Sequence, residues 1–219
     1  MDPTDRFVEL VARPASESHL DLMAALIGAS FDPGADVGSV VLGLDRLAEG
    51  CESSFPSLLA MFGDGRLRGN SADYGDPRNS YLHDVLARKV GIPITLSVCA
   101  IEVGRRLGLT VHGIGLPGHF IVECDGLYAD PFHAGRSYTA EELEPAWQRI
   151  TGLHEPLDPR LVRPVSSRSI LLRMLNNLKN TFVAMDDPVP LKVLATLRGA
   201  FPELEHERAE YARWLRHWN

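Results

Sequence analysis

His119 and Asp130 are the two residues whose types and spacing could do chemistry together. Between them lies Asp125-Gly126, a strong two-residue hairpin signal, because a type I′ turn needs positive φ at both central positions. A turn there pairs Cys124 with Leu127, Val122 with Ala129 and Phe120 with Pro131, and sets His119 opposite Phe132. Asp130 then becomes the diagonal neighbour of His119, with Cβ atoms roughly 6–8 Å apart. A carboxylate so placed can reach an imidazole nitrogen, hold the ring in one tautomer and stabilise its protonated form. That is the chemistry of a general base with an orienting acid. The pairing depends on register, since a slip of one residue separates the two side chains.

A base of this kind needs a nucleophile, and the element that could bring one is a helix just upstream. Pro93 suits a first helical position and Gly108 a terminator. Residues 94–107 between them are almost all apolar, which predicts a buried central helix. Leu96, Ala100, Val103 and Leu107 form one face; Thr95, Cys99, Glu102 and Arg106 form a narrow stripe on another. Cys99 is the candidate thiol on that stripe. It lies a turn inside the helix, where the dipole that lowers a thiol pKa has faded, and it reads equally as a small buried hydrophobe. Thr95 could face His119, but a threonine nucleophile needs strong activation by a base.

The remaining elements frame this unit. Apolar spacing predicts a helix after Ser18, a second over residues 37–49 and a short third over 56–62. Residues 63–78 read as a polar, glycine-rich loop, and Asn79 as the cap of a helix running to Lys89. Strands are expected over 111–116, 119–124 and 127–130, then a helix over 139–147 with Thr139 and Glu142 as a capping box. Helices over 170–185, 190–200 and 203–218 close the chain.

Taken in order, Asn79-Ser80-Tyr81-Leu82, Gly91-Ile92-Pro93-Ile94-Thr95-Leu96-Ser97, Arg106-Leu107-Gly108-Leu109, Pro117-Gly118-His119-Phe120 and Asp130-Pro131-Phe132 closely resemble the bacterial SirB-type proteins of the transglutaminase-like superfamily. The resemblance covers most of the chain and is strongest over residues 62–135. It implies an α+β fold: a papain/transglutaminase-like core in which a small antiparallel sheet packs on a central helix, with a helical N-terminal part and a helical C-terminal tail. The implied division is 1–75 for the N-terminal part, 76–160 for the core and 166–219 for a tetratricopeptide-like tail. His119 matches the superfamily's catalytic His and Asp130 its catalytic Asp. The superfamily's Cys would fall near residues 93–95, at the helix N-terminus, and this chain has none there.

The expected function is therefore a degenerate transglutaminase-like module that keeps a His–Asp pair and binds a protein or peptide. The alternative is a cysteine-type acyl transferase, hydrolase or amidase using Cys99 with His119 as base. A net charge of −7 argues against a nucleic-acid partner, because phosphate binding needs clustered Lys and Arg. No apolar run is long enough to span a membrane. The N-terminus lacks the basic start and apolar stretch of a signal peptide. Three scattered cysteines, Cys51, Cys99 and Cys124, favour the cytoplasm over a disulfide framework. No cofactor is expected and no metal, since no CxxC or HxxxH spacing is present; His112 and His133 flank the hairpin in supporting or surface roles.

Overall fold

The computed structural model describes residues 1–13 and 19–207. Its helices are α1 (Pro3–Val11), α2 (Leu20–Phe31), α3 (Val37–Glu49), α4 (Phe55–Gly63), α5 (Leu82–Arg88), α6 (Pro93–Arg106), α7 (Ala140–Thr151), α8 (Ser167–Met185) and α9 (Pro188–Gly199). The strands β3 (His112–Ile114), β4 (Ile121–Cys124), β5 (Leu127–Asp130) and β6 (Arg136–Tyr138) form an antiparallel sheet in that order. Two short strands, β1 (Arg68–Gly69) and β2 (Val90–Gly91), pair in parallel beside it. The architecture is the expected α+β one.

Helix α6 is the axis of the molecule. Pro93 occupies its first turn, where a missing N–H costs nothing. Leu96, Val98, Cys99, Ala100 and Val103 are all fully buried. One face of the sheet, through Val122, Cys124 and Ala129, joins the same core. The other face, through Ile114, Leu116 and Ile121, is covered by Leu143 and Trp147 of α7 and by Leu157. The Thr139–Glu142 capping box that starts α7 is present as anticipated.

The core does not stop at the sheet. Phe7 of α1, Met23 and Ile27 of α2, Met174 and Leu178 of α8 and Leu194 of α9 belong to one apolar cluster with α6. Helix α2 is buried on nearly all sides, which is why its sequence lacks a polar stripe. Helix α1 was not anticipated; Asp2 caps it by accepting the Thr4 N–H at 2.8 Å, and Phe7 meets Phe201 with ring centroids 6.1 Å apart. The α8–α9 hairpin thus docks on the core.

Several local expectations are corrected. Asn79 is not a helix cap. It is fully buried inside a 3₁₀ turn, Pro77–Ser80, and the helix begins only at Leu82; its C-cap is Lys89, at φ 61°, where the helix was expected to end. Strand β6 was missed because its residues carry no alternating apolar pattern. Of the last expected helix, residues 202–207 form a 3₁₀ turn; the remainder lies outside the described residues, as does the cap at Ser18.

The polar stripe on α6 serves structure. Arg106 meets Asp21 at 2.8 Å, Asp45 at 2.6 Å and Glu102 at 3.1 Å, tying α6 to α2 and α3. Burial raises the Asp21 carboxyl, but the Arg106 hydrogen bond, the Leu22 N–H and the charges of Arg106 and Arg105 together outweigh it and hold the group below its ordinary value. The Thr95 hydroxyl donates to the Asn79 carbonyl at 2.7 Å and accepts the Ile92 N–H at 3.2 Å. Thr95→Val keeps the shape and strands both partners in a dry site, so a loss of about 1–3 kcal/mol is expected in urea unfolding. A loss under about 0.5 kcal/mol would mean water replaces the hydroxyl.

Candidate active-site cleft

The hairpin that sets the site forms as its turn chemistry dictates. Asp125 and Gly126 both take positive φ, 50° and 82°, and Val122 pairs with Ala129 and Cys124 with Leu127. The ladder ends at Val122–Ala129, short of the anticipated Phe120–Pro131 and His119–Phe132 pairs. Pro131 has no N–H to donate, and residues 131–133 turn into a 3₁₀ segment instead of extending to face His119. His119 and Asp130 still meet, because one lies two residues before β4 and the other ends β5.

Each partner is held by its own loop. Gly118 takes φ +70° ahead of His119. The Trp147 indole N–H donates to the Pro117 carbonyl at 2.9 Å. Arg173 Nη2, from α8, donates to the carbonyls of both Leu116 and His119 at 2.6 Å. Asp130 caps the following turn: its Oδ1 accepts the N–H groups of Phe132 and His133 at 3.0 and 3.2 Å. Gly135 closes that loop at φ +69°, where a Cβ would sit 2.6 Å from the Leu59 carbonyl oxygen.

His119 Nε2 lies 2.6 Å from Asp130 Oδ2, and His133 Nδ1 lies 2.7 Å from the same oxygen. Burial pushes the Asp130 carboxyl up. The hydrogen bonds from His119 and His133 overcome that and bring it down to about 2. Asp130 is therefore ionised and can only accept, so both ring nitrogens facing it carry protons. His119 is fixed as its Nε2–H tautomer, and Nδ1 is left as the basic nitrogen. The Asp130 hydrogen bond raises the His133 pKa against the opposing effect of burial.

Sequence reasoning had set His133 aside, yet it completes a trio. The Asp-Pro-Phe-His spacing could have signalled it, because a carboxylate that caps a short turn reaches the residue three positions on. The ligating atoms of His119, Asp130 and His133 all lie within 4.8 Å of one another and could hold a divalent ion. The two close distances are those of charge-assisted hydrogen bonds. Ligands around a tetrahedral zinc would stand about 3.3 Å apart. As it stands, the trio is spaced for protons.

His119 borders a cleft of about 220 Å³ whose other walls are Tyr74, Pro93, Ile94, Gly118, Phe120, Arg173 and Asn177. The start of α6 lines it, as a nucleophile-bearing helix should, but among the described residues Cys, Ser and Thr are absent from the lining. Thr95 is turned to Asn79 instead. Cys99 is fully buried in the apolar core, and burial together with the nearby Glu102 charge pushes its thiol up to about 12. Cys51 and Cys124 do not line the cleft either. Tyr74 and Arg173 were not anticipated: Tyr74 stands on the polar loop pinned by Asn79, and Arg173 follows an apolar stretch of α8 that reads as plain core.

Residues 41–176 match the family model described as transglutaminase-like superfamily. The chain is 43% identical over 125 residues to a UPF0162 protein of Xylella fastidiosa, covering 54% of this chain and 44% of that protein. A UPF0162 protein of Pseudomonas aeruginosa is 30% identical over 177 residues, 78% of this chain and 58% of the relative. Human F-box only protein 21 is 31% identical over 125 residues, 52% of this chain and 19% of that protein. The match thus spans less than half the length of the Xylella relative. No solved structure matches the chain. Among the described residues no helix is long and apolar enough to cross a membrane.

Proposed function

The chain belongs to the transglutaminase-like superfamily, and from that premise we propose that it is a degenerate module of the family, which keeps the His119–Asp130 pair and uses its cleft to bind a protein or peptide. One observation carries this reading: among the described residues, the cleft that the largely buried His119 borders is lined by no thiol or aliphatic hydroxyl. Acyl transfer through a covalent intermediate needs an activated nucleophile within hydrogen-bond reach of the base. Cys99 does not serve, because a thiol with a pKa of about 12 is protonated at neutral pH and this one is sealed from solvent.

The order of the motifs favours the SirB-type branch, and α8 with α9 is read as one tetratricopeptide-like unit. A division into an N-terminal part, a core and a tail belongs to the same reading, although all three share one apolar core. The shared segment makes up 19% of F-box only protein 21, which fits a domain able to serve inside larger proteins. Cytoplasmic placement rests on the three free cysteines.

The test is hydroxamate formation from benzyloxycarbonyl-Gln-Gly and hydroxylamine at neutral pH. The wild type is expected to be no faster than His119→Ala. Turnover that disappears in His119→Ala and persists in Cys99→Ala would overturn the reading in favour of an unusual nucleophile.

A further inference from the structure

We propose that the His119 cleft takes the C-terminal carboxylate of a peptide, with Arg173 as its counter-charge. The inference rests on the peptide-binding reading above and names the group that is recognised.

The first observation is the bonding of Arg173. Arg106 and Arg168 each meet carboxylates. Arg173 lines the cleft, yet among the described residues it meets no carboxylate: it donates to the Leu116 and His119 carbonyls, lies 5.3 Å from the Phe120 ring, feels the nearby Tyr74 hydroxyl and packs Nη1 against Gly115. Both carbonyls are held by Nη2, so Nε and Nη1 have no hydrogen-bond partner there. A guanidinium stays charged at any physiological pH and suits bidentate carboxylate recognition.

The second observation is the opposite wall. The first intrahelical bond of α6 is Leu96 N–H to the Ile92 carbonyl, at 3.1 Å. The Ile94 N–H is therefore one of the orphan donors at the positive end of the helix. Asn177, one turn beyond Arg173 on α8, adds a neutral side-chain amide. Among the described residues no Asp or Glu is in the lining. A cation, a helix N-terminus and an amide converge on a space without a neutralising group.

Size and charge select among anions. The apolar side chains of Ile94 and Phe120 and the ring of Tyr74 suit a side chain more than a bare ion. About 220 Å³ admits a residue or two, which fits a chain end and excludes a long segment lying across it. One guanidinium whose Nη2 is already shared by two carbonyls, in a protein of net charge −7, matches a monoanion better than a phosphate dianion.

The experiment compares N-acetyl-Ala-Ala-Phe with its C-terminal amide by calorimetric titration, with inorganic phosphate as competitor. The free acid is expected to bind at least tenfold more tightly than the amide. Asn177→Asp leaves the Arg173 bonds to the loop intact and supplies an internal carboxylate. It should abolish the preference while the melting temperature stays unchanged. Arg173→Gln should also abolish the preference, at some cost in melting temperature because it gives up the bonds to the Leu116 and His119 carbonyls, with a circular dichroism spectrum showing that the fold survives. Equal binding of acid and amide would overturn the carboxylate assignment and leave the peptide cleft standing. A preference retained in Asn177→Asp, phosphate bound more tightly than the acid, or no binding of either peptide would also overturn it. Hydroxamate turnover dependent on His119 bears on the parent reading alone.

Discussion

Asp130→Ala should lower the unfolding free energy at pH 7 by about 3–5 kcal/mol, the usual cost of removing one partner from a buried ionic group. The carboxylate is fully buried and accepts from His119, His133 and two backbone N–H groups. Its loss strands the buried His119 ring N–H and the two backbone N–H groups, while the exposed His133 ring can turn to water. Asp130→Asn keeps the shape but turns an NH₂ toward nitrogens that already carry protons, so it should cost about 2–3 kcal/mol. A loss below about 1 kcal/mol in urea unfolding would mean that the trio contributes nothing to stability.

The same group predicts a pH dependence. The Asp130 pKa is lowered on folding from 3.8 to about 2, so the unfolded chain binds its proton more readily. The stabilisation is complete above roughly pH 4 and is lost as pH falls toward 2. At about 1.4 kcal/mol per pKa unit, that amounts to about 2–3 kcal/mol. His133 runs the other way. Its raised pKa gives a contribution present below its ordinary value of 6.5 and lost as pH rises through the folded value. The trio should hold most firmly between about pH 4 and 6.5, and Asp130→Asn should flatten the acid limb.

Ile94→Cys should create the reactive thiol that the native chain lacks. Residue 94 lines the His119 cleft in the first turn of α6. The helix dipole and His119 Nδ1 would both favour the thiolate there. Cys99 is buried with its thiol near pKa 12, so its thiolate fraction at pH 7 is on the order of 10⁻⁵. Iodoacetamide should therefore label the new thiol on the order of a thousandfold faster than Cys99 in the folded protein, with a pH midpoint below the ordinary 8.5. The added rate should fall in the double variant with His119→Ala. Labelling no faster than at Cys99 would show that residue 94 does not share the space of His119.

Much of this arrangement is local and was legible in the sequence. Asp125-Gly126 imposes positive φ at two adjacent positions, and that sets the hairpin register without reference to the rest of the chain. Pro93 and Gly108 bracket α6, and its nearly unbroken apolar run declares it central. His119, Asp130 and the absence of Cys near residue 93 follow from reading these signals together. Other features depend on atoms distant in sequence. Asn79 has the residue type of a cap, but its side chain and carbonyl are claimed by Asn70, Asp73 and Thr95. Thr95 and Cys99 share the helical stripe that would suit a nucleophile, yet packing turns one to the Asn79 loop and seals the other in the core.

The sequence by itself determined the His119–Asp130 pair, because a two-residue turn leaves the flanking residues almost no freedom of register. Only the tertiary structure decided what surrounds the pair. It added His133 through a turn capped by Asp130, brought Arg173 across from a helix more than fifty positions away, and placed Cys99 beyond reach. Such contacts are set by the packing of whole elements against α6, and no local rule of turn or helix chemistry encodes them.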